Sequence, residues 1–170
     1  MIKKLIVLAF LLSLMSGSPL AVQAKSVNDL TFVLKNSSEI SSICLDNIEF
    51  ENGCINLEAK VVYIQKDLTS EEAEGAIVRG MGYYYLRDIS FPELREAIVK
   101  DLNGKMEYLE EFGDEPFRYI IEKNSVLTEK EAGYIEELKS DLFYSCYFGF
   151  EGFRDNFPET LYLFNRTIKR

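Results

Sequence analysis

Histidine is absent from the 170-residue chain. Its absence removes the imidazole general base, the Ser–His and Cys–His nucleophile pairs and the commonest zinc ligand. Cysteine is scarce, with three residues. Long apolar runs are scarcer still: one stands at the N-terminus, and no later segment is apolar enough to be a membrane span. The chain has no internal repeat, no low-complexity stretch and no linker long enough to divide it.

The one apolar run belongs to a three-part leader. Lys3 and Lys4 precede residues 5–15, apolar except for Ser13, and residues 16–24 are small or polar and broken by Pro19. This is the layout of a secretory signal peptide, and its core is shorter than the roughly 20 residues a bilayer span needs. Val22-Gln23-Ala24 offers small residues to a signal peptidase. Cleavage is expected after Ala24, releasing residues 25–170 as one domain into a periplasm or the medium, with no stable membrane insertion.

Two of the 19 basic residues and none of the 28 acidic ones lie in the leader, so the remainder carries a net charge of −11. Such a balance disfavours nucleic acid and anionic lipid as partners. The acids are spread along helical segments, as on solvated faces. In an oxidising compartment Cys44 and Cys54, which flank the short polar stretch 45–53, are the leading disulfide pair, with Cys146 the alternative partner of either. Unpaired, Cys146 in Tyr144-Ser145-Cys146-Tyr147-Phe148 reads as a buried, inert thiol.

Residues 30–34 and 61–64 are β-branched or aromatic runs that predict strands. Thr69-Ser70-Glu71-Glu72 is a capping box before a helix over 73–86, and Ser90-Phe91-Pro92-Glu93 is another before 94–102. Thr128 opens a third helix to about Phe148, and Asn156-Phe157-Pro158 leads a fourth over 158–168. Residues 106–124 predict one or two shorter helical pieces, broken around Gly113 and Pro116. The class is α+β, mostly helical, with a small sheet on the N-terminal side.

The helix over 73–86 keeps Gly75, Gly80 and Gly82, each about 1 kcal/mol worse than alanine inside a helix. Either a tight packing contact or a site accounts for them. The segment 68–83 resembles the active-site helix of the HExGH zinc metallopeptidases, the gluzincin group that includes HtpX-like and CAAX-prenyl proteases. In that family a strand leads through an acidic capped turn into a small and aliphatic stretch and then His-Glu-x-Gly-His. Arg79 stands at the first histidine, Gly80 at the glutamate, Gly82 at the family glycine and Tyr83 at the second histidine. Glu137-Leu138-Lys139-Ser140-Asp141 is similar to the later helix that supplies the third ligand, with Glu137 as the former ligand and Asp141 as the residue that once held the first histidine. The resemblance covers about residues 55–163 and implies a zincin-like fold.

The departures matter more than the matches. Catalytic zinc takes three protein ligands and keeps one position for water. Arginine stays protonated, and tyrosine loses its proton only near pH 10, so neither Arg79 nor Tyr83 serves as a ligand. Gly80 removes the water-activating carboxylate. The resemblance therefore implies an inactive domain with no metal and no cofactor, in which Arg79 replaces the cation by bridging Glu137 and Asp141, with the Tyr83 hydroxyl adding a hydrogen bond to Glu137. Function is then expected from binding a protein or peptide in a groove between an edge strand at 61–64 and the helix, using Val61, Tyr63 and Tyr84. The rival reading is a small acidic exported immunity or inhibitor protein, unrelated to peptidases, that caps a basic toxin. A carboxylate-based hydrolase is the third class, and no pair of acids stands out for it. Neither the partner nor the oligomeric state is written in the sequence.

The exported form is expected to begin at Lys25 and to hold one disulfide with one reduced thiol. Intact mass and thiol labelling of the unfolded protein measure both; a retained leader or three reactive thiols in oxidised material would contradict the assignment.

Overall fold

Residues 25–27, 30–102, 127–148 and 153–168 are described by the structure, a computed structural model. They fall into two units, Met1–Tyr84 and Tyr85–Arg170, each taken by itself. Residues 1–24, 106–124 and 149–152 lie outside the described residues. The class is α+β, with the sheet confined to the first unit. Among the described residues no helix is long and apolar enough to cross a membrane.

The first unit runs β1 (Lys25–Val27), β2 (Leu30–Lys35), α1 (Ser37–Cys44), β3 (Ile48–Phe50), β4 (Gly53–Asn56), β5 (Val61–Gln65) and α2 (Ser70–Leu86), whose last residues pass into the second unit. The five strands form one mixed sheet in the order β1-β2-β5-β4-β3. β2 and β5 are parallel, and the other three pairs are antiparallel. The register places Phe32 beside Val62 and Ile55 opposite Val62, so these side chains share a face with Ile64, two residues along. All four are almost wholly buried. Cys54 lies opposite Tyr63 on the other face, where α1 packs on β4 and β5.

Three of the sheet's strands, β1, β3 and β4, and the helix α1 have no counterpart in the sequence reading. The stretch 45–53, read as a polar loop, contains β3 and the turn into β4. Asn52 occupies the left-handed region at φ 66°, which asparagine tolerates better than most residues. A Cβ on the next residue, Gly53, would sit 2.5 Å from the Tyr63 carbonyl oxygen, so only glycine fits there.

The helix starts follow the capping boxes. The Thr69 N–H donates to the Glu72 carboxylate at 2.8 Å, and the Glu72 N–H donates back to the Thr69 hydroxyl at 3.3 Å. Bonds to the Thr69 side chain, then to its backbone, hold the Glu72 carboxyl below its ordinary pKa. Ser90 with Glu93 and Thr128 with Glu131 repeat the arrangement ahead of α3 (Phe91–Leu102) and α4 (Glu129–Phe148). The short α5 (Phe153–Asn156) and then α6 (Pro158–Ile168) complete the second unit.

α3 buries Leu94, Ala97, Ile98, Asp101 and Leu102, a stripe at helical spacing with one carboxylate in it. Asp101 is placed there to cap α6. It accepts from the backbone N–H groups of Glu159 and Thr160, each at 2.8 Å, and from the Thr160 hydroxyl at 2.7 Å. At the opposite end of the pair Arg166 meets Glu93 at 3.4 Å, so α3 and α6 run antiparallel.

Replacing Asp101 should separate these two helices. Asp101→Ala leaves the Thr160 donors buried without an acceptor and is expected to cost about 3 kcal/mol, while Asp101→Asn, which keeps one acceptor oxygen, should cost about half of that. Denaturant midpoints at constant m-value measure both.

Candidate functional site

α2 is buried almost all round. Ala73, Ala76, Ile77, Val78, Gly80, Met81, Tyr83 and Tyr84 are all nearly inaccessible, as on a helix covered on more than one side. In the first unit one of those sides rests directly on the sheet. A Cβ at Gly80 would stand 2.7 Å from Cγ1 of Val62 and 3.0 Å from its Cγ2, with the Phe50 ring at 3.4 Å. The glycine is therefore a packing requirement: the helix backbone touches β5 where any other residue would hold it off. Phe50 continues the contact by stacking on Tyr83, with ring centroids 5.8 Å apart.

Position 80 is where the peptidase resemblance places the catalytic glutamate. A carboxylate there would be driven into Val62 and Phe50, not toward an open cleft. Arg79, one residue earlier, is half-buried and ion-pairs with Glu51 of the β3–β4 turn at 3.5 Å. Because Glu51 is 72% exposed, the pair contributes at most about 1 kcal/mol. Glu51 is a partner that the sequence reading did not name.

The other half of the expected site lies in the second unit. Along Glu137-Leu138-Lys139-Ser140-Asp141 the inward residues are Leu138, Lys139 and Ser140, while Glu137 is exposed and Asp141 half-buried. Arg79, Gly80 and Tyr83 are thus placed within the first unit, and Glu137 and Asp141 within the second. Lys139, at 2% exposure, is the most unusual of the inward set. Its ammonium donates to the carbonyls of Ile89 at 2.9 Å and Leu86 at 3.3 Å, in the turn closing α2, and pairs with Glu136. Three donors meet three acceptors, so the hydrogen-bonding capacity of the buried ammonium is filled.

The expected peptide groove requires correction. Val61 and Tyr63 lie on β5, the middle strand, bonded to β2 on one side and to β4 on the other. No further strand can add where both sides are already paired. Tyr63 packs against the Cys44–Cys54 disulfide, and Tyr84 is 6% exposed with the Lys60 ammonium 6.0 Å from its ring centroid. The sheet's outer strands are β1 and β3.

The disulfide joins Cys44 to Cys54, whose Cα atoms are 5.6 Å apart, and Cys146 lies half-buried on α4 outside it. Among the described residues no three acids or cysteines are placed to hold a metal ion. In comparisons with known proteins the chain matches no family model, no curated protein and no solved structure. The gluzincin resemblance accordingly rests on the residues quoted for it.

Two glycines should respond to the same change with opposite signs. Gly80→Ala is expected to lose about 1 kcal/mol, because overpacking against Val62 exceeds the gain in helix propensity, and Val62→Ala should recover part of that loss in a double-mutant cycle. Gly133→Ala on α4, where an added Cβ meets nothing within 4 Å, should gain about 0.5 to 1 kcal/mol. Thermal or denaturant unfolding of the four variants tests the assignment.

Proposed function

We propose that this chain is an exported protein that works by binding another protein or a peptide and performs no metal-dependent hydrolysis. The observation that carries this reading is the contact at Gly80. A peptidase helix presents a glutamate and two zinc ligands to a cleft, whereas here the corresponding backbone lies at van der Waals distance from Val62 and Phe50. The gluzincin resemblance is read as ancestry, with the reaction centre replaced by packing.

The charge distribution narrows the partner's chemistry. Asp46, Glu49, Glu51, Glu58, Asp67, Glu71 and Glu72 are all exposed in the first unit, and Glu49 stands on the outer strand β3. Such a surface speeds encounter with a basic protein and repels acidic ones. The same acids favour the second reading, an inhibitor-type protein that caps a basic target without any peptidase ancestry. The two differ in salt dependence: capping through surface acids weakens steeply between low and high salt, while a peptide seated by backbone and apolar contacts does not.

The mature chain should leave unfolded casein intact with or without zinc, and zinc should not raise its melting temperature as a bound ligand would. Zinc-dependent cleavage, or one zinc per chain by elemental analysis, would overturn the reading.

A further inference from the structure

α1 has few means of its own to stay on the sheet. It is eight residues long, well under the roughly 12 to 15 at which isolated helices become even marginal in water. Four of its residues are serines, and two of them, Ser41 and Ser42, donate back to the carbonyls of Ser37 and Ser38, a pattern that weakens helices. Its buried side chains are Ile40 and Cys44, with Ile43 partly buried. These join Cys54 and Tyr63 in a small cluster on the face of β4 and β5 opposite to the face that carries Val62 and Ile64. On the Val62 face Phe32, Ile55, Val62 and Ile64 are buried, and α2 rests there on Val62. One of the two buried anchors of α1 is thus half of the disulfide.

We infer that the Cys44–Cys54 bond is a redox latch for α1: oxidised, it docks the helix on the sheet, and reduced, it releases the helix while the rest of the first unit stays folded. A dithiol reductant supplies the chemistry. Its thiolate attacks Sγ of Cys44, the less deeply buried of the pair, and Cys54 leaves as the thiolate. The reductant's second thiol then resolves the mixed disulfide. Two electrons and two protons pass to the protein, giving two thiols and a reductant disulfide. Reoxidation by a disulfide-donating partner is the reverse exchange. The latch is closed in a compartment that forms disulfides and open in one that reduces them.

Hydrogen–deuterium exchange on the mature chain before and after dithiothreitol tests the latch, and the Cys44→Ser/Cys54→Ser variant repeats the test without reductant. Closing a loop this short corresponds to an effect on the order of 100-fold in local opening. Amides of residues 37–47 should gain exchange by about that factor, while β2, β5 and α2 keep their protection. Unchanged protection in α1 would overturn the latch. So would parallel loss in β2, β5 and α2, which would make the bond a staple for the whole unit.

Discussion

The first unit depends on one missing side chain. A helix packed on a sheet is ordinarily held off by the side chains that fill the layer between them. At Gly80 there is no side chain to fill it, so the helix backbone comes down on Val62, and the neighbouring contacts follow. Phe50 can then reach Tyr83 across the gap, and the β3–β4 turn comes near enough for Glu51 to pair with Arg79. Gly53 extends the same economy inside the sheet, since its bare Cα lets the hairpin close over the Tyr63 carbonyl. Two glycines and a valine thus set how closely the helix lies on the sheet and how tightly the β3–β4 hairpin closes.

Much of this architecture was legible because it obeys local rules. The capping boxes at Thr69, Ser90 and Thr128 are side-chain chemistry of four consecutive residues, and the structure places helix starts at Ser70, Phe91 and Glu129. Strands at 30–34 and 61–64 were visible as β-branched runs for the same reason. What escaped is α1, although Asn36-Ser37-Ser38-Glu39 carries the same signal, with the Asn36 N–H donating to Glu39 at 3.2 Å. A serine-rich segment with two isoleucines offers too little apolar periodicity to outweigh its turn-like composition. β1, β3 and β4 escaped because each is three or four residues long, and because Asn52 and Gly53 punctuate the last two into what reads as loop.

The site was less legible than the fold, and the reason is physical. Glycine in a helix says that something approaches closely, without saying whether it is a ligand or a neighbouring strand. Gly80 fits both descriptions in the sequence, and the structure puts Val62 beneath it. Along 137–141 the acids stand out in the sequence, whereas the buried members are Leu138, Lys139 and Ser140, with Glu137 exposed and Asp141 half-buried. β5 reads as an edge in the sequence because its two neighbours are β2, about thirty residues earlier, and the short β4. Strand order is a property of pairing, which a single run of residues does not encode.

Buried polarity shows where this chain spends its costly groups. Among the described residues the buried polar side chains are Asp101, Lys139, Ser140 and Thr160, all in the second unit. Asp101 and Thr160 are bonded to each other and to the start of α6, and Lys139 to the carbonyls that close α2. Each charge is thus matched to a helix end of opposite partial sign, where anions suit the exposed N–H groups and cations the exposed carbonyls. A hydrolytic centre needs the reverse condition, a buried charge held by its surroundings yet left with a free bond for substrate or water. With three acceptors around the Lys139 ammonium and three donors around the Asp101 carboxylate, those two groups are committed to architecture. In the first unit Asp46, Glu49, Glu51, Glu58, Asp67, Glu71 and Glu72 lie on the exposed surface, where they act through their field and not through buried contacts.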